Sequence, residues 1–196
     1  MTYVDPQAEV SPAARLGEGT TVWAFAQIRE DAVLGTDCII GRGAYIGAGV
    51  RLGDRVKVQN LAQVYEPAVL EDGVFVGPAV VLTNDTFPRA VRPDGGLKSA
   101  TDWHAVGVTV REGASLGARS VCVAPVVVGR WALVAAGAVV VRDVPDHALV
   151  AGNPARLIGW VGRDGRRLVA EPDGTWASAD GTERYRLDDD TLEEIR

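Results

Sequence analysis

The chain has 196 residues, a net charge of −6 and an apolar fraction of 47%; this allows one core-bearing domain and argues against a nucleic-acid backbone as partner. Its 23 glycines suit a backbone that turns every few residues. The opening MTYVDPQAEV has no basic or apolar stretch and no run approaches a membrane span, so a cytoplasmic protein with no membrane partner is expected.

Residues 1–9 read as a lead-in, kept extended by Pro6 and Pro12. From Val10 to Leu82 every sixth residue is Leu, Ile or Val, without exception in thirteen positions. Four residues after each anchor stands a small or β-branched side chain, as at Ala14, Thr20, Ala26, Cys38, Val56 and Ala62. Gly follows the anchor directly at Gly17, Gly35, Gly41, Gly47, Gly53 and Gly77, which suggests a backbone conformation that a Cβ would obstruct. Six residues is the period of one short strand plus one turn, and its repetition predicts a parallel β-solenoid. If three hexapeptides close a triangular coil, four coils reach Leu82. Cys38 and Cys122 fall on inward positions and read as buried small hydrophobes rather than catalytic thiols.

The period stops at residues 83–105, a polar stretch with Pro88, Pro93 and Gly95-Gly96 that predicts an extruded loop. It resumes at Val110, Leu116, Cys122, Val128, Val134 and Val140, about two more coils, with Leu82 to Val110 out of step. Leu149, Leu157, Ile158 and Trp160 are expected to cap the last apolar layer. The organisation expected is a solenoid over 1–161 and an appendage over 162–196. In the appendage, Arg167–Val169 would pair with Arg184–Leu187, and Asp190 or Thr191 would cap a short terminal helix.

The repeat resembles that of the hexapeptide-repeat transferases, which implies an all-β, left-handed parallel β-helix and a homotrimer with sites between subunits. Residues 57–90 (KVQNLAQVYEPAVLEDGVFVGPAVVLTNDTFPRA) are similar to a segment of bacterial nucleotide-sugar N-acetyltransferases. The nearest resemblance is to enzymes that acetylate UDP-2-acetamido-3-amino-2,3-dideoxyglucuronate for surface polysaccharide; dTDP-3-amino-3,6-dideoxyhexose acetyltransferases stand close by. Residues 111–161 resemble the acetyl-CoA-binding half of that family. Some relatives carry a cysteine where Ala177 or Asp180 stands, and with none here no metal is expected.

Acetyl transfer from a thioester to an amine needs a neutral amine, a proton acceptor and donors for an oxyanion. The resemblance sets Asn84 at the reacting amine, where an amide can orient it. His104 is the candidate base because a neutral imidazole is abundant near pH 7; water or the substrate are the other proton acceptors. Gln59, Asn60, Tyr65, Glu66 and Arg89 are candidate contacts to sugar or nucleotide. Ala118 and Ala136 would leave room for acetyl-CoA, with Pro154 and Arg156 at its adenine and phosphates. Two other readings are a γ-class carbonic anhydrase, which needs three histidines where this chain has two, and a non-enzymatic solenoid scaffold.

Overall fold

The computed structural model describes residues 1–188 and 191–195, and every regular element in them is a strand. Partner strands differ by eighteen positions, Tyr3 beside Thr21 and Gln27 beside Tyr45, so three hexapeptides do close one coil. The stack forms the parallel β-helix that the repeat predicts, with three flat faces. Face A runs from Tyr3–Val4 to the hairpin Ala148–Gly152 and Ala155–Trp160, face B from Glu9–Val10 to Val139–Val140, and face C from Arg15–Leu16 to Val126–Val128. Seven strands on face B at about 4.8 Å each make a prism roughly 30 Å tall.

Each two-residue strand turns its first side chain out and its second in, and the residue before the strand also points in. Anchors such as Val58, Val64 and Leu70 and their companions Val56, Ala62 and Ala68 are therefore buried together. Burying a Val or Leu contributes about 1.5–3 kcal/mol, but one coil alone leaves both its edges wet, so stability comes from stacking. Thr20, a polar companion, is satisfied inside: its hydroxyl donates to the Gly35 carbonyl at 3.0 Å and accepts the Cys38 N–H at 3.2 Å.

The glycine after an anchor has a different cause from the one the sequence suggests. A Cβ on Gly117 would stand 2.4 Å from the Ala136 nitrogen, so close approach of the next coil excludes a side chain there. Left-handed φ falls two residues later in the turn, at Gly43 (64°) but also at Phe25 (60°) and Leu61 (61°).

Residues 1–9 are no mere lead-in, because Tyr3–Val4 already stacks on Thr21–Val22. The loop does not reset the winding either. Leu82 lies on face B and Val110 on face C, consecutive faces joined by 28 residues instead of 6, an insertion of 22 at one corner.

The appendage is a four-stranded antiparallel sheet, and both details expected of it are corrected. Val169–Ala170 pairs with Thr175–Ala177, which lies between it and Arg184–Asp188, because Gly174 makes a tighter local turn than the long-range pairing needs. Thr191–Glu194 is a strand on Arg184–Asp188 rather than a helix: Leu192 buries itself and Glu194 reaches Arg163 at 2.6 Å. Asp190, the other proposed cap, lies outside the described residues.

His147 ties the sheet to the solenoid by packing. Its ring lies 4.7 Å from that of fully buried Tyr185, and its Nδ1 is 3.0 Å from the Val161 carbonyl oxygen. Burial pushes the imidazole below its ordinary value. The unfolded chain thus binds a proton that the folded one refuses, and stability falls as pH drops below about 6.5. Tail cleavage in limited proteolysis should be faster at pH 5.5 than at pH 7.5, and His147→Gln should flatten that difference.

Candidate active site

Three corners run the length of the prism, and the face of the strand that precedes a residue assigns it to one. Ala118 and Ala136 differ by eighteen and follow face-A strands on two successive coils, so they stand in one column on the A–B corner; the last coil is two residues shorter, Val134 pairing with Val150, so Gly152 continues the column and Pro154 lies two residues beyond it in the closing hairpin. Ala118 is half-buried and Ala136 exposed, which leaves an open track beside the turn N–H groups. Pro154 is exposed in the closing hairpin, and exposed Arg156 donates to the Ala155 carbonyl at 2.9 Å.

Gln59 and Asn60 belong to this same corner, lower in the stack. Asn60 Oδ1 accepts the Arg42 N–H at 2.9 Å, the stitch that Asp54 and Asp72 make on the C–A corner at 2.7 and 2.8 Å. Its acceptor is thus engaged by the fold, which leaves the two donors of its amide.

The B–C corner, across face B, carries the other candidates. Tyr65 packs on Tyr45 with ring centroids 5.2 Å apart. Glu66 lays Oε2 over Gly47, where that oxygen is buried with no hydrogen-bond partner among the described residues. Burial, followed by the Glu66 charge, raises the Tyr45 phenol above its ordinary value. One coil further, Asn84 starts the inserted loop, and its backbone oxygen accepts the Val106 N–H at 3.0 Å to close the loop's base.

Within the loop, His104 lines a pocket of about 330 Å³ with Asp85, Phe87, Lys98, Asp102 and Trp103. Asp85 is a turn residue, its Oδ1 accepting the Phe87 N–H at 2.8 Å. Asp102 accepts from the Ser99 N–H and hydroxyl at 2.7 and 2.9 Å, bonds that hold its carboxyl below the usual range. Arg89 is exposed, donates to the Pro88 carbonyl at 2.8 Å and is outside this pocket. Lys98, Trp103 and Tyr45 were missed by sequence reasoning. The signal for Trp103 was an aromatic residue beside His104 in an otherwise polar loop.

The structure therefore gathers the candidates into two groups and not one. Six residues separate neighbouring corners, at most roughly 20 Å of extended chain, and no A–B corner residue lines the loop pocket. Both cysteines are buried, and burial pushes the Cys122 thiol up to about 12 and raises that of Cys38, so neither offers a thiolate. A hollow of about 550 Å³ on face C holds none of the candidates; its rim carries Glu71, Asp72 and Glu112 against the single cation Arg51, a balance that disfavours phosphates. Among the described residues no helix is long and apolar enough to cross a membrane, and no group of three His, Cys, Asp or Glu side chains could hold a metal ion.

Comparison with known proteins agrees with the repeat. The bacterial transferase hexapeptide family (six repeats) matches residues 13–48, and the hexapeptide repeat of succinyl-transferase matches residues 107–142. A segment of 52 residues is 58% identical to dTDP-3-amino-3,6-dideoxy-alpha-D-galactopyranose 3-N-acetyltransferase of Aneurinibacillus thermoaerophilus, covering 26% of this chain and 27% of that protein. Serine acetyltransferase 4 of Arabidopsis thaliana is 36% identical over 104 residues, 53% of this chain and 28% of its own. The chain thus spans little more than a quarter of the length of these two relatives. Among solved structures, the acetyltransferase domain of PglB from Neisseria gonorrhoeae FA1090, in complex with acetyl coenzyme A, is similar at a TM-score of 0.50 and 25% identity, covering 80% of this chain and 57% of that one.

Proposed function

We propose that this chain, a hexapeptide-repeat protein by its coils and by both family matches, is an acetyl-CoA-dependent N-acetyltransferase acting on the 3-amino group of a nucleotide-linked amino sugar. The observation that carries the reading is the column Ala118, Ala136 and Gly152, small residues on three successive coils beside a row of turn N–H groups, with Pro154 in the hairpin just beyond. An extended thioester can lie along such a track, with N–H donors available to its carbonyl oxygen. Arg156 would meet its phosphates.

The proposed step is direct. The amine nitrogen bonds to the thioester carbonyl carbon, the carbon–sulfur bond breaks, and the sulfur leaves as the CoA thiol. Asn84 orients the amine, and His104 takes its proton. Because the acetyl-CoA column and the Asn84 loop stand on different corners of one chain, the working unit is a homotrimer in which the loop of one copy faces the column of the next. Gln59, Asn60, Tyr65, Glu66 and Arg89 line the approach for sugar and nucleotide.

The first substrate reading is UDP-2-acetamido-3-amino-2,3-dideoxyglucuronate. The second is a dTDP-3-amino-3,6-dideoxyhexose, favoured by the relative that acts on such a sugar. Purified protein with acetyl-CoA and each amino sugar should release free thiol, faster with the true series. No release with either would overturn the acetyltransferase reading and leave a non-catalytic scaffold.

A further inference from the structure

Low on the A–B corner, four to six coils below Pro154, the turn residues are large and apolar where the fold needs nothing large. Phe25 and Leu61 hold φ of 60° and 61°, a region that bulky residues rarely adopt, and their exposures are 50% and 61%. Trp131 has the same backbone strain at 57°, but it packs against Gly113 and lies under the Arg163 guanidinium, so its strain is matched by burial. Phe25 lies under the Arg42 guanidinium and Leu61 over Gly43, yet both remain half or more exposed. Between them stands Gly43, and Leu61 leans over it: a Cβ there would come within 2.9 Å of Leu61 Cδ2, so the glycine makes room for that methyl. A hollow of about 470 Å³ lies here, lined by Phe25, Arg42, Gly43, Asn60 and Leu61.

We infer that this slot receives the base and first phosphate of a uracil or thymine nucleotide. Phe25 and Leu61 sit two coils apart, about 9.6 Å at the usual strand spacing. A flat ring in the hollow would lie against the exposed edges of Phe25 and Leu61, in van der Waals contact with both. The Arg42 guanidinium lies 5.0 Å over the Phe25 ring, at the mouth, where it meets a phosphate. Asn60 supplies selectivity: with Oδ1 engaged by the Arg42 N–H, it presents only donors, which suit the ring carbonyls of uracil and thymine.

The inference rests on the nucleotide-sugar reading above. It gives the exposed, strained Phe25 and Leu61 a purpose that a plain corner, built with glycine, lacks.

Calorimetry with UDP and dTDP on the intact protein, Phe25→Gly and Arg42→Gln tests it. Each substitution should weaken binding about tenfold, the order that one base stack or one phosphate pair contributes. Phe25→Gly should do so with no fall in Tm, since glycine relieves the left-handed strain. Unchanged affinity in both variants overturns the slot, as does a lack of UDP and dTDP binding to the unaltered protein. A lower oligomeric mass in Phe25→Gly with unchanged affinity also overturns it, assigning the patch to a second copy of the chain. Thiol release from acetyl-CoA, measured on the same samples, reports separately whether the acetyltransferase reading stands.

Discussion

Asn84→Ala should lower kcat for acetyl transfer about a hundredfold, with Tm and acetyl-CoA affinity unchanged. Asn84 is half-buried at the point where face B gives way to the loop, and its backbone already closes that loop through the Val106 N–H. The side chain is therefore free of the fold's own work, and alanine keeps the backbone bond. What alanine removes is the group that aims the amine; misplacing a reacting atom by about 1 Å costs on the order of a hundredfold. Single-turnover kinetics would measure it, and a loss confined to KM would move Asn84 from the reacting centre to ground-state binding.

Ala136→Trp should raise KM for acetyl-CoA at least about tenfold while the fold survives. Ala136 is exposed on the A–B corner, with no coil beneath a side chain there. Its neighbour in the previous coil behaves in the opposite way: any side chain on Gly117 would strike the Ala136 backbone nitrogen. Two adjacent small residues thus separate by cause, one demanded by stacking and one left open along the proposed acetyl-CoA track. An indole on that track displaces the pantetheine arm, and at about 1.4 kcal/mol per tenfold even one lost apolar contact is measurable. Retained Tm with weak acetyl-CoA binding by calorimetry is the expected pair of results.

The repeat made most of the fold legible. An anchor such as Ile40 or Leu70 must point inward, because a slip of one residue would turn it to water, so thirteen positions carry one physical demand. The same arithmetic sets Ala118 and Ala136 in one column, but it overshoots in the last coil, where Val134 pairs with Val150 and Gly152, not Pro154, stands next in line. Where the period ends, the sequence had no such ruler. The string around Thr191 and Leu192 carries a cap residue and early acidic groups, a local helix signal, but pairing with Arg184–Asp188 outweighs it. The loop pocket joins Asp85 and Phe87 to Lys98 and His104 across a gap that no spacing rule connects. Phe25 and Leu61 also escaped notice, because an exposed apolar residue at a turn breaks no periodic pattern.

The account's central claim is acetyl transfer at a site made by the Asn84 loop of one copy and the Ala136 column of the next. Co-expression of Asn84→Ala with Ala136→Trp, followed by thiol release from acetyl-CoA with the amino sugar, tests it most directly. Each variant alone should be nearly inactive, while mixed trimers should regain about a quarter of the unaltered activity, the share of junctions that unite an intact loop with an intact column. A mixture no more active than the two variants measured separately would contradict the claim.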